Sequence, residues 1–207
     1  MFIDCLSGGL VNSNVYVVAG NGGGVIIDCG CPAEKILEAV KKHGDNIRDV
    51  ILSHGHFDHV YYADSIRELA GMKIHIHKHD ADFLTDSFKN GLMFYHRRGA
   101  NNFKPADNLL NDEDILKFGE LEFRILHTPG HTPGSISIAV GNCVFTGDTL
   151  FHSSIGRTDF PGGSKKDIVN SIKNKLFTLP DNTVVYPGHG EPTKIGYEKR
   201  NNPFVNE

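Results

Sequence analysis

No apolar run in the chain approaches the roughly 18 to 20 residues that a membrane-crossing helix needs. The N-terminus, MFIDCLSGGL, carries Asp4 and lacks the basic segment of a secretory signal. These absences predict a protein kept in the cytoplasm with no membrane partner. Cysteine is scarce as well: Cys5, Cys29, Cys31 and Cys143 are too few and too unevenly spaced to staple 207 residues, a length that buries its own core. They read as reduced thiols, and Cys29 and Cys31, separated by one glycine, fall short of a metal-knuckle spacing. Blocks of like charge are missing too. Lys and Arg total 21 against 25 Asp and Glu, interspersed for a net −4, so no basic face is laid out for nucleic acid or anionic lipid. Fixed-period repeats, low-complexity tracts and linkers are absent, which predicts one domain over 1–207 and a small-molecule partner; the oligomeric state is not legible.

What the chain has in excess is glycine, 23 residues, and histidine, 12. Glycine marks tight turns; histidine asks for chemistry. Short β-branched stretches bounded by Gly, Pro, Asn or Asp predict strands at 14–20, 24–30, 49–53, 72–77, 120–126, 135–140, 143–147 and 182–188. Between them, CPAEKILEAVKKHG places Pro32 near the first helical position and ends at Gly44, while ADSIRELAG and KHDADFLTDSFKNG read as further glycine-closed helices. In SKKDIVNSIKNKLFTLP, Ser164 is the expected N-cap and Ile168, Val169, Ile172 and Leu176 the buried stripe. Strands in runs, with helices interposed but not in strict alternation, predict an α/β (α+β) architecture of two sheets with helices outside. The stretch from Asn90 to Asp114 reads as irregular, and a loop of that length is more often functional than accidental.

His54, His56, Asp58 and His59 stand together in SHGHFDHV, immediately after a buried strand, where α/β folds concentrate their sites. Neutral imidazoles and carboxylates without sulfur suit zinc, iron or manganese. Four such groups in six residues crowd one ion, so His54 and His56 are expected at one cation and Asp58 and His59 at a second. Completing ligands come from other strand edges set in glycine turns: His131 in HTPGHTPGS, Asp148 in FTGDTLF and His189 in YPGHG. His75, His77 and His79 alternate at strand spacing and could mimic a metal site, but a strand running into a helix cap explains them more simply. His127 is expected to orient the His131 loop, His152 to lie close enough to line the pocket, and His43 and His96 to sit on the surface.

HGHFDH, TPGHTPGS, GDTLF and YPGHG, in that order, resemble the metallo-β-lactamase-fold hydrolases over nearly the whole chain. The resemblance implies an αββα sandwich with two mixed sheets and two divalent metal ions, zinc first, with iron or manganese as alternatives. It assigns His54, His56 and His131 to one metal, and Asp58, His59 and His189 to the other. Asp148 bridges them, and Asp58 and Asp148 become the catalytic carboxylates. Asp28 is expected to support the ligand loop from behind. Tyr61 and Tyr62 replace the two glycines usual after D-H-x, which bears on pocket shape.

The stretch GDTLFHSSIGRTDFPGG and the C-terminal segment look like the glyoxalase II branch, in particular short bacterial hydroxyacylglutathione hydrolases without the longer enzymes' helical C-terminal domain. That implies hydrolysis of a thioester such as S-lactoylglutathione by an activated bridging water, the thiolate leaving with little acid catalysis. GRTDF is also shared with persulfide dioxygenases, which use one iron held by two histidines and an aspartate, and a lactonase or other esterase fits the same ligands. Arg157 and Asp159 either contact a substrate carboxylate or form a plain ion pair. Met93, Phe94 and Tyr95 with Arg97 and Arg98 read either as a lid with anion-binding guanidinia or as a solvated loop.

Overall fold

The computed structural model describes residues 1–44, 46–95 and 102–205. Its first sheet runs in the order β1 (Phe2–Gly8), β2 (Ser13–Gly20), β3 (Gly23–Ile27), β4 (Ile47–Ile51), β5 (Lys73–His77), β6 (Asn108–Leu110). It is antiparallel from β1 to β3 and parallel from β3 to β6. The second sheet begins with the antiparallel meander β7 (Ile115–Phe118), β8 (Leu121–His127), β9 (Ile136–Val140) and β10 (Cys143–Gly147). A small hairpin, β11 (Leu150–Phe151) and β12 (Ser154–Ile155), follows. The second sheet is then completed by β13 (Val184–Pro187), parallel to β10, and by the edge strand β14 (Thr193–Lys194).

The strands' period-two alternation explains the layers. On β2, Tyr16 and Val18 join Ile27, Ile51, Phe123, Ile138 and Phe145 between the sheets. Their neighbours Val15 and Val17 face the other way, packing with Val50, Ile74 and Ile76 against α1 (Ala33–Lys41) and, past the short α2 (Phe57–Val60), α3 (Ala63–Ala70). On the far side of the second sheet, Leu126, Val144 and Val185 receive Ile168, Ile172 and Leu176, most of them from α5 (Lys165–Asn174), the helix that follows the one-turn α4 (Leu92–Tyr95). A last helix, α6 (Ile195–Asn201), adds Ile195 to the same cluster. Helix, sheet, sheet, helix is therefore the order, and each fully buried Ile, Leu or Phe contributes roughly 1.5–3 kcal/mol.

Several details differ from the sequence reading. Pro32 stands immediately before α1, near its first position as expected, but KHDADFLT winds as a 3-10 helix ending at Thr85. Ser164 caps α5 as expected, accepting from the Asp167 amide at 3.2 Å, but the helix stops at Asn174 and Leu176–Thr178 form a separate 3-10 turn. The region read as irregular contains α4 and β6, with 96–101 outside the described residues. The strand read over 24–30 stops at Ile27, because Asp28 turns the chain with φ of 64°.

Candidate metal centre

Loops leaving β4, β8, β10 and β13 meet at one edge of the two sheets and carry His54, His56, His131, Asp148 and His189. Ligand atoms of His54, His56 and His131 lie within 4.8 Å of one another, as do those of His54, His59 and Asp148 and those of Asp58, His59 and His189. Across the second group His189 Nε2 is 3.1 Å from Asp58 Oδ2 and 3.3 Å from His59 Nε2, and Asp148 Oδ1 is 3.4 Å from His59 Nε2. Gly188 makes the crowding possible, since a Cβ there would stand 2.2 Å from Asp148 Oδ1 and 2.7 Å from His59 Cε1.

Asp28 organises both groups. Its Oδ1 accepts from the Ser53 amide at 2.7 Å, and its Oδ2 accepts from the Ser53 hydroxyl and from His59 Nδ1, both at 2.8 Å. With its hydrogen given to Asp28, the Ser53 oxygen receives His54 Nδ1–H at 3.0 Å. One carboxylate thus sets two tautomers and leaves the Nε2 lone pairs of His54 and His59 facing inward. His131 is fixed likewise, donating Nδ1–H to the Arg157 carbonyl at 2.8 Å. Its Nε2 lies 2.8 Å from His56 Nδ1. Whichever nitrogen of His56 carries the proton, an imidazole lone pair is left buried or two lone pairs are set face to face.

His54 Nε2, His56 Nε2 and Asp148 Oδ1 are buried without a hydrogen-bond partner among the described residues. Orphaned acceptors of this kind are costly unless a cation satisfies them, so the residues present fit divalent metal. Protonation states agree with that chemistry. Burial pushes His54 well down and His56 to about 3, and it lowers His131, so these three offer neutral lone pairs. Burial would raise Asp58 and Asp148, but His59 and the other imidazoles outweigh it and hold both below the usual carboxylate range. Burial likewise opposes the charge on His59, yet Asp58, Asp148 and Asp28 raise it well above an ordinary histidine. A proton at His59 Nε2, or a cation in the same place, answers the same concentration of negative charge.

The profile of the metallo-β-lactamase superfamily matches residues 8–189. The chain belongs to the metallo-β-lactamase superfamily. It is 36% identical over 201 residues to the probable metallo-hydrolase YqgX of Bacillus subtilis (strain 168), covering 96% of this chain and 94% of that one. It is 39% identical over 184 residues to the hydroxyacylglutathione hydrolase GloC of Haemophilus influenzae, covering 87% and 86%. Among solved structures, BLEG-1 B3 metallo-β-lactamase aligns over 100% of both chains with a TM-score of 0.92 and 36% identity. TTHA1623 in a di-iron-bound form aligns over 97% of this chain and 99% of its own with a TM-score of 0.84 and 33% identity. This member of the metallo-β-lactamase superfamily is accordingly a metallo-hydrolase, and no helix among its described residues is long and apolar enough to cross a membrane.

Above the candidate metal centre opens a cavity of about 390 Å³, lined by Val11, Phe57, Phe94, Tyr95 and Phe160 together with Asp58, His131, Asp148 and His189. Arg157 also lines it, but its guanidinium lies 3.9 Å over the Phe160 ring and forms a fork with Asp159, two bonds of 2.7 Å. The pair is exposed, so an ion pair is present at the rim of the cavity that Arg157 lines. His152 does not line the cavity: the β11–β12 hairpin turns at His152 and Ser153, sending that ring outward to within 5.1 Å of Tyr197, while Phe151 faces His189 instead. Tyr61 and Tyr62 are absent from the lining as well, packing against the helices of the first sheet and Phe103. Met93, Phe94 and Tyr95 form α4 at the cavity mouth; Arg97 and Arg98 lie outside the described residues.

The sequence reading missed Asp80. Fully buried, it accepts from the Gly55 amide at 2.9 Å, the Thr132 hydroxyl at 2.6 Å and the Gly134 amide at 2.6 Å, tying the His54–His56 loop to the His131 loop. Burial pushes its carboxyl up to about 6 against the pull of those three bonds. Its position just past the end of β5, on the same edge as the other loops, was the available signal.

Proposed function

We propose that the chain is a dinuclear metal-dependent thioesterase of the hydroxyacylglutathione hydrolase type, acting in the cytoplasm on a small thioester such as S-lactoylglutathione. His54, His56 and His131 would hold one ion, Asp58, His59 and His189 the other, and Asp148 would contact both. Zinc is the preferred metal, with iron or manganese as alternatives; the di-iron form of a relative 33% identical supports keeping iron in the test. Divalent cations held there supply Lewis acidity and acidify water at neutral pH.

The chain's own residues define the rest. Asp58 and Asp148, both held ionised and both lining the cavity, orient the attacking water below the substrate carbonyl. The aromatic walls bury the acyl and thiol arms and exclude bulk solvent. The observation that carries the thioester reading is what the lining does not offer. Apart from the ligand side chains, the polar side chains of the described lining are Arg157, engaged with Asp159, and Tyr95, whose hydroxyl lies 3.3 Å from the Leu10 carbonyl. Neither is placed as a general acid, and a thiolate leaves without one, whereas an alkoxide departs far less readily.

The test is a substrate panel on one metal-replete preparation: S-lactoylglutathione, a simple acyl thioester, a lactone, a β-lactam and, with oxygen uptake recorded, glutathione persulfide. Thioesters are expected to be turned over with the highest kcat/KM, and Asp148→Asn should abolish both turnover and stoichiometric metal binding. Preferred β-lactam or lactone hydrolysis, or oxygen consumption with one iron per chain, would overturn the proposal.

A further inference from the structure

A second concentration of imidazoles lies apart from the seven residues of the centre. His77 ends β5 of the first sheet, His79 sits in the first turn of the 3-10 helix that follows, and His127 ends β8 of the second sheet. One ligand atom from each falls within 4.8 Å of the other two. The His77 and His127 rings stack with centroids 4.1 Å apart, and His79 stands across them at 4.9 Å and 5.4 Å.

Three features distinguish this trio from a chance cluster. His127 directs Nε2–H at the Pro133 carbonyl at 2.8 Å, leaving its Nδ1 lone pair for another partner. That is the arrangement metal-binding histidines show, one ring nitrogen tied to a carbonyl and the other bare, and His131 shows it in the main centre. His77 is 1% exposed, yet the one hydrogen bond of its ring among the described residues is a long 3.4 Å contact from the His79 amide. The His79 ring, exposed and set across the other two, makes no hydrogen bond among the described residues. We propose that His77, His79 and His127 form an additional site for a borderline transition cation such as zinc, joining the two sheets at this edge.

Ligand softness sets the class: three nitrogens without a carboxylate favour zinc, nickel or copper over magnesium or calcium. Tetrahedral zinc at its usual Zn–N length needs ligand atoms about 3.4 Å apart, so the trio closes by part of its present spread, chiefly through His79. Charge cooperates. Burial holds the His77 imidazole down at about 4 and lowers His127, so both present lone pairs at neutral pH rather than competing protons. Three protein histidines, the third on the first turn of the 3-10 helix, leave a coordination position for water.

The experiment counts zinc on the full chain with its main centre loaded, by equilibrium dialysis at buffered micromolar free zinc followed by elemental analysis. Wild-type protein is expected to hold one zinc per chain more than His79→Ala, and His79→Asp, which keeps a ligand atom, to recover that zinc. His79 is exposed and outside the hydrolytic machinery, so thioester turnover by His79→Ala should match wild type and report an intact fold. Equal zinc counts for wild type and His79→Ala would overturn the proposal, leaving the trio a stack of neutral rings.

Discussion

Replacing Asp80 by asparagine tests how a buried carboxylate holds two ligand loops together. In the metal-free protein its carboxyl is pushed from the usual 3.8 up to about 6, by burial that the bonds from Thr132, Gly55 and Gly134 only partly offset. A folded pKa above the unfolded one means the native state binds the extra proton between those values, so stability falls as pH rises through that window. About two pKa units at 1.36 kcal/mol each correspond to about 3 kcal/mol, fully present below pH 4 and lost above about 6. Asparagine imitates the protonated group without titrating. It also leaves one of the two amide donors, Gly55 or Gly134, facing an NH₂ group, an unsatisfied contact costing about 1–3 kcal/mol. Urea unfolding of chelator-treated wild type and Asp80→Asn, at steps from pH 4 to 8, reads the difference directly. Asp80→Asn should be the less stable protein at pH 4, with the gap closing or reversing by about 3 kcal/mol at pH 8. A stability difference that stays constant across the range would refute the reasoning.

Other perturbations separate layers of the structure. Gly188→Ala places a Cβ 2.2 Å from Asp148 Oδ1, and should cost about 1–3 kcal/mol in urea while lowering metal content on elemental analysis. Asp28→Asn removes the acceptor that orients His59 and, through Ser53, His54; metal affinity measured by competition with a chelator should fall about 10–100-fold with a native circular dichroism spectrum. Ser164→Ala deletes the cap of α5 and should cost about 1 kcal/mol with unchanged turnover, because its bond to the Asp167 amide lies on the outer helix layer.

The candidate ligand set was legible because each member sits in a short glycine-rich motif at the end of a strongly apolar strand. His54, His56, Asp58, His59, His131, Asp148 and His189 do converge within three overlapping groups. Architecture was legible where strands are buried on both faces, as in VYVVA and VIID, and faded at the edges. β1 and β7 are half exposed and β6 and β14 are two or three residues long, so pairing across the sheet rather than local pattern makes them strands. Asp80 was missed because its partners, Gly55, Thr132 and Gly134, are remote in sequence. His77 does cap the 3-10 helix, accepting from the His79 amide as the strand-into-cap reading has it, whereas His127 reaches the pair from a strand of the other sheet, which no local pattern shows. His152 misled because closeness along the chain to GDTLF was taken for closeness to the cavity, and the hairpin turn at Ser153, with φ of 56°, reverses its direction.

The central claim is that two half-sites act together on a thioester. Its most direct measurement is thiol release from S-lactoylglutathione while chelated protein is titrated with metal. The rate should climb until two equivalents per chain are bound and remain flat thereafter, including through any further zinc taken up at His79. Full activity at one equivalent, or no thiol release at any metal loading, would contradict the account.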